Sequence, residues 1–298
     1  RKFKSSCTRA TIRKLKLMNF RKIINNGTLI LRDNLIPSAG LDAEILLSLS
    51  LNKTREEILL NLEGKLNTNQ INNYNKLIKR RKKKEPISYI TGKKHFWNSE
   101  FYVNKNVLTP RPETELLVEE VLKRYKLVNK INILDIGTGS GCILISLLKQ
   151  HKKWVGTGID ISKMAIKVAK SNAKIQQVSN RIKFIKSDID NITVNKYDLV
   201  VSNPPYINKI GYNNLDFGVK SFEPQKALYG GIDGLRIIEK VIEKSKIVLK
   251  NSGLLAMEIG LGQSFNVCRL LKENGFYIYK ITKDYQKIRR CIFAKKVK

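Results

Sequence analysis

From residue 131 onward, short apolar runs alternate with segments of helical spacing. "INILDI", "WVGTGID", "RIKFIK", "YDLVV" and "GLLAMEI" read as strands, "YDLVV" as a buried one. Between most of them lie "SGCILISLLKQ", "SKMAIKVAKSNAKI" and "DGLRIIEKVIEKSKIVL", with apolar residues every three or four positions. The chain closes on "FYIYKIT" and "RRCIFAK", two further strands too close together to hold a helix between them. Such alternation leaves few options. The expectation is an α/β, Rossmann-like fold with a seven-stranded, mostly parallel sheet ending in an antiparallel hairpin strand. Ligands of such sheets sit beyond the carboxyl ends of the strands.

Those carboxyl ends are distinctive. "LDIGTGSGC" leaves the first strand and opens a helix through Gly137, Gly139 and Gly141. A dinucleotide fingerprint would need a further glycine at position 142, which is Cys142. The second strand ends at Asp160, placed to accept from a ribose diol, and the third at Asp188 and Ile189, placed for an adenine amino group and ring. Each aspartate alone could be a turn or helix cap. Three consecutive strand ends bearing groups that suit an adenosyl ligand point to one ligand.

The fourth strand runs into "SNPPYI", Ser202 to Ile207. Two prolines neither continue a sheet nor supply N–H donors, so Pro204 and Pro205 stiffen a corner whose carbonyls need not pair within it. Asn203 offers a side-chain oxygen and Pro204 a backbone oxygen, two acceptors for the hydrogens of one planar NH₂ group. Tyr206 could stack on that group and exclude water. An amide lone pair is delocalised into its carbonyl. Methylating it therefore calls for fixed positioning and for acceptors that stabilise the charge developing on nitrogen. A rigid surface turn is the bland alternative.

Composition limits the remaining options. No apolar run approaches membrane-spanning length. Cys7, Cys142, Cys268 and Cys291 are widely spaced without a C-x-x-C pair, and His95 and His151 are the only histidines. Neither a metal site nor a disulfide framework is expected, and a reducing compartment is. The formal net charge of +32 suits nucleic acid, but Lys, Asn and Ile are abundant together, as an A/T-rich genome would favour. Non-specific, salt-dependent contact with RNA or the ribosome is expected either way.

Residues 1–18 are expected to be a disordered basic leader: "RKFKSSCTRATIRKLKL" has no acidic residue and no apolar segment of the secretory kind. Met18 could be the true start, or the segment could be a basic arm or an organelle transit peptide. Residues 19–84 read as a small N-terminal helical domain, with a capping-box spacing at Thr54 and Glu57 and a basic run, "KRRKKK", closing its last helix onto solvent. Residues 85–109 are expected to be a linker holding a hairpin, with "ISYIT" and "EFYVN" as its strands. The domain spanning 110–298 then opens with Pro112 at a helix start and Glu113 and Glu115 in its first turn.

With these residues in view, the chain resembles the class I S-adenosylmethionine-dependent methyltransferases. The resemblance implies S-adenosyl-L-methionine, without metal, held by Asp135, Gly137, Thr138, Gly139, Ser140, Gly141, Asp160, Asp188, Ile189 and Asn203. It implies a substrate NH₂ group held at Asn203, Pro204, Pro205 and Tyr206, with Asn203, Pro204 and Tyr206 catalytic. "NPPY" suits base amines and side-chain amides alike. "LTPRPETE", "FEPQKALYGGIDGL" and "MEIG" are similar to stretches of the release-factor glutamine methyltransferases (PrmC/HemK). That family implies methylation of the glutamine in the Gly-Gly-Gln loop of class I peptide-chain release factors, with the helical domain gripping the factor, in the cytoplasm or, after import, an organelle. It places Arg111, Glu113 and Glu223–Pro224 near the pocket. On the residues alone, Arg111 could equally pair with a carboxylate and Pro224 start a helix. A nucleic-acid N-methyltransferase and a non-catalytic RNA-binding module stay open as alternatives.

Overall fold

The computed structural model describes residues 18–192 and 196–297. The expected basic leader lies, but for Met18, outside them, as does Cys7. The chain divides after Thr91 into two compact units.

The first unit is helical: α1 (Phe20–Asp33), α2 (Ala39–Leu51), α3 (Arg55–Leu60), α4 (Thr68–Lys82) and α5 (Ile87–Thr91). Its helix starts are fixed by side chains that accept from free backbone N–H groups. Asn19 caps α1, while Thr54 with Glu57 and Asn67 with Gln70 form two capping boxes. Phe20, Ile23, Leu31, Leu46, Leu47, Ile58, Ile71, Tyr74 and Ile78 meet in its core. The basic run at the end of α4 is not uniformly solvated. Arg81 bonds the buried Asp42 at 2.7 Å, and Arg80 bonds Glu85 at 2.6 Å.

"ISYIT" is helix α5 rather than a strand. The Pro86 carbonyl accepts from the N–H groups of Tyr89 and Ile90, and the turn ends at Gly92 with φ +72°. A proline tolerated at a helix start and a left-handed glycine after its end define this segment more strongly than its β-branched residues. The hairpin follows instead as β1 (Lys93–Phe96) and β2 (Ser99–Tyr102), so the strand expected in "EFYVN" ends at Tyr102. It belongs to the second unit, not to a free linker, because Asn172 and Gln176 bond its backbone at Tyr102 and Glu100.

The second unit continues with a 3₁₀ turn at Pro112–Thr114 and α6 (Glu115–Arg124). There follow β3 (Asn132–Ile136), α7 (Cys142–Gln150), β4 (Val155–Asp160), α8 (Lys163–Ile175), β5 (Ile182–Lys186) and β6 (Tyr197–Ser202). The remainder is α9 (Lys209–Asn213), α10 (Phe217–Phe222), α11 (Arg236–Val248), β7 (Leu249–Glu258), α12 (Ser264–Glu273), β8 (Phe276–Lys283) and β9 (Arg289–Lys296). The seven strands lie in the order β5-β4-β3-β6-β7-β9-β8, parallel except where β9 pairs with β7 and β8. One face is covered by α6, α7 and the hairpin around Leu117, Leu144, Leu147 and Trp154. The other is covered by α11 and α12 around Ile238, Val241, Val267 and Leu271. Strand order reverses between β3 and β6, which opens a crevice at their carboxyl ends.

Candidate active site

Four strand ends line that crevice. At the end of β3 the backbone turns through Gly137 (φ +75°) and Gly139 (φ +55°), a region L-residues rarely adopt. A side chain at Gly137 would meet nothing within 4 Å, so the turn is kept bare by its conformation and has open space beside it. The Ile159 carbonyl accepts from the N–H groups of Gly137 and Thr138, locking the turn to β4. Ser140 is buried, and its carbonyl accepts from the Asn172 amide at 2.8 Å. The same amide donates to and accepts from the hairpin backbone at Tyr102, at 2.9 and 2.8 Å.

Asp135 is fully buried. Its Oδ2 accepts from the Thr138 hydroxyl at 2.7 Å, and among the described residues its Oδ1 has no hydrogen-bond partner. Burial pushes its carboxyl up to about 7, opposed by the Thr138 hydroxyl. Asp160 ends β4 and accepts from Gly139 N–H on one oxygen and Ser162 N–H on the other, at 3.0 and 2.8 Å. Burial raises its pKa as well, against those two bonds. Each oxygen keeps a second lone pair, so the carboxylate can still accept from a diol. Ser187 N–H bonds the Asp160 carbonyl, setting Asp188 beside it. One Asp188 oxygen caps the 3₁₀ turn at Ile189–Asn191, and the half-buried Ile189 packs on the apolar core.

These residues fit S-adenosylmethionine. An orphaned buried carboxylate oxygen suits its cationic end, a bare glycine turn admits the methionine chain, and two further carboxylates with an apolar side chain suit the adenosine. Among the described residues no cluster of His, Cys, Asp or Glu could hold a metal ion.

The NPPY corner sits at the end of β6, held from three sides. Ile207 N–H bonds the Leu228 carbonyl and Gly230 N–H bonds the Ile207 carbonyl. The Gln263 amide donates to the carbonyls of Tyr206 and Gly234, at 2.9 and 3.2 Å. Asn203 uses its amide N–H to bond Thr114 Oγ at 3.0 Å, and the Thr114 hydroxyl donates to Glu258 Oε2 at 2.5 Å. Among the described residues no hydrogen bond is accepted by Asn203 Oδ1 or by the Pro204 carbonyl. The two expected acceptor oxygens are thus not taken up by the protein itself.

Tyr206 is tied at its polar end: its hydroxyl donates to Glu258 Oε1 at 3.0 Å, and its half-buried ring packs against the core. Burial, then the neighbouring Glu258, hold that phenol far above its ordinary pKa. Glu258 is itself buried and its pKa raised by that burial, while the hydroxyls of Thr114 and Tyr206 act in the opposite direction. Arg111 bonds the buried Glu223 at 2.7 Å, the carboxylate pairing anticipated as an alternative for it. Pro224 precedes a short 3₁₀ turn, and Glu113 is half-buried.

Sequence reading gave no role to Thr114, Glu258 or Gln263. A signal for Glu258 was present: a carboxylate terminating the apolar run "GLLAME". Thr114 carries no such signal, because only the fold brings it beside residues more than eighty positions away.

Residues 22–92 match the PrmC N-terminal domain, and residues 111–216 match the methyltransferase small domain. A release factor glutamine methyltransferase of Fusobacterium nucleatum is 38% identical over 277 residues, covering 92% of this chain and 78% of that protein. The chain belongs to the release factor glutamine methyltransferase family. A bifunctional methyltransferase of Rickettsia bellii is 37% identical over 92% of the chain, which spans 54% of that protein's length. Among solved structures, the ribosomal protein L11 methylase of Lactobacillus delbrueckii subsp. bulgaricus superposes with a TM-score of 0.50 at 19% identity. It covers 66% of this chain and 84% of its own, a likeness of fold. Family membership makes the chain an S-adenosylmethionine-dependent methyltransferase of class I fold. No helix among the described residues is long and apolar enough to cross a membrane.

Proposed function

We propose that this chain methylates the side-chain amide nitrogen of the glutamine in the Gly-Gly-Gln loop of class I peptide-chain release factors. The observation that supports it most is the NPPY corner, rigid and with two oxygens left to accept. S-adenosylmethionine supplies the methyl group on a positively charged sulfur and leaves as the neutral thioether. Asn203 Oδ1 and the Pro204 carbonyl accept the two N–H hydrogens of the substrate amide, fixing its plane and favouring the positive charge that grows on nitrogen. The nitrogen then gives up one proton to solvent, leaving a neutral N-methyl amide. Pro205 stiffens the corner, and the Tyr206 ring excludes water over the amide.

Asp135, Asp160, Asp188, Ile189 and the turn from Gly137 to Gly141 hold the cofactor on this reading. Residues 19–91 help grip the release factor. The reaction belongs in the cytoplasm, where release factors act, and the basic surface adds non-specific contact with RNA or the ribosome.

The test is transfer of labelled methyl from S-adenosylmethionine to a purified release factor. Label is expected on the intact factor and absent when its Gly-Gly-Gln glutamine is alanine. Base amines are also planar NH₂ groups, and the net charge of +32 suits a nucleic acid. Label appearing in RNA alone would replace the protein substrate with that one.

A further inference from the structure

Two acceptor oxygens define an NH₂ site only if Asn203 presents its oxygen, not its nitrogen, to the substrate. A side-chain amide can rotate by half a turn with little change of shape, and the reversed amide would offer two donors. Something must fix its direction. The Thr114 hydroxyl has a single hydrogen and gives it to Glu258. An ionised carboxylate only accepts, and the hydroxyls of Thr114 and Tyr206 both favour that form of Glu258, so this direction is imposed from the buried end. Thr114 Oγ is left to accept, and the only group of Asn203 that can serve it is the N–H. The second carboxylate oxygen is engaged by Tyr206, so Glu258 holds both polar side chains of the corner at once. Its burial makes sense on that footing: a charge of this kind is costly unless hydrogen-bonded, and here it has two hydroxyl donors.

We propose that Thr114 and Glu258 are positioning residues that set the direction of the Asn203 amide, and so select an NH₂ group over an oxygen acceptor. The inference rests on the release-factor reading and adds to it the origin of the discrimination between glutamine and glutamate. With Asn203 Oδ1 and the Pro204 carbonyl facing outward, a carboxylate would meet two acceptors and be repelled. With Asn203 reversed, one of the two acceptors would become a donor and that repulsion would weaken.

Thr114→Val keeps the shape of the side chain and removes the hydroxyl, whereas Thr114→Ser keeps the hydroxyl. The experiment measures methyl transfer to a release factor, cofactor affinity by calorimetry, and competition by a release factor carrying Gly-Gly-Glu. For Thr114→Val, kcat should fall roughly tenfold to a hundredfold, the scale of one charge-assisted hydrogen bond. Cofactor affinity should stay within a few fold, and the Gly-Gly-Glu factor should compete better than it does against the unaltered protein. Thr114→Ser should restore both turnover and discrimination. If Thr114→Val does not bind cofactor and so is not folded, Thr114→Cys replaces it, with a thiol of similar size that accepts weakly. Unchanged kcat and unchanged competition in a cofactor-binding variant would overturn the proposal. So would equal losses in Thr114→Ser and Thr114→Val. Failure of the unaltered protein to label any release factor would instead overturn the function, a separate outcome.

Discussion

At the residue scale, Asp135 and Asn203 pose opposite problems. Asp135, one residue before the end of β3, is a buried carboxyl with one oxygen unpartnered among the described residues, and burial pushes its pKa up to about 7 from 3.8. Between those values the folded state holds a proton that the unfolded state has lost, so stability falls as pH rises across the window. Without cofactor, the protein should be more stable near pH 5 than near pH 8 on account of this group. Asp135→Asn should remove that slope and unfold at a higher temperature than the unaltered protein at pH 8. It should also bind S-adenosylmethionine roughly tenfold to a hundredfold more weakly, losing a charged partner. Thermal unfolding across pH, followed by calorimetry with cofactor, checks both; a flat pH dependence in the unaltered protein would contradict the assignment. Asn203, by contrast, is the residue proposed to hold the methyl acceptor. Asn203→Ala should cut turnover by roughly 10²–10³-fold, as loss of one preorganised transition-state partner does elsewhere. Cofactor affinity should stay within a few fold; a large loss there would move Asn203 to the cofactor.

At the element scale, the NPPY corner depends on a neighbouring glycine segment for its clearance. A side chain at Gly230 would lie 2.5 Å from the Pro205 carbonyl and 2.9 Å from Tyr206 Cα, both backbone atoms that cannot rotate aside. Gly230→Ala should therefore displace the corner, at an overpacking cost of about 1–3 kcal/mol. Turnover should drop and the unfolding temperature with it, while cofactor titration stays close to normal because the glycine turn after β3 is untouched. Kinetics beside a cofactor titration would show this. Much of this architecture can be read from residue order, because each parallel strand is closed by a glycine, aspartate or proline turn and all but the lysine-rich edge strand β5 are apolar runs. Local signals were weaker where two competed. "ISYIT" is rich in β-formers yet is helical, since Pro86 and Gly92 frame one helical turn and β-propensity reflects packing more than backbone preference. The strand ends were legible one by one. Their linkage through Thr114 was not, because three residues separated by 89 and 55 positions share it only after the 3₁₀ turn, β6 and β7 come together.

At the scale of the whole molecule, each unit has its own apolar core, and among the described residues no core residue of the first is drawn from beyond Ile90. Residues 92–298 alone should therefore fold and bind S-adenosylmethionine about as well as the full chain. Their KM for a release factor should rise if the helical unit grips that substrate. Calorimetry and steady-state transfer on the two proteins separate these effects. The charge of +32 makes a further prediction. Retention of RNA should fall steeply between low and physiological salt, with a logarithmic slope of about −0.7 per phosphate neutralised on a single strand. Methyl transfer to a release factor should fall less steeply, since the acceptor corner is uncharged. Parallel salt titrations would compare them.

Asn172 joins distant parts of the second unit with one side chain, and all three of its polar contacts are satisfied inside the protein. A shift of the hairpin strand at Tyr102 must either carry the Ser140 carbonyl along or break one of those bonds. The outer ribbon and the glycine turn proposed to receive the cofactor are therefore mechanically coupled. Loosening at the periphery would register first as a slacker grip on the ligand, long before the sheet itself gave way.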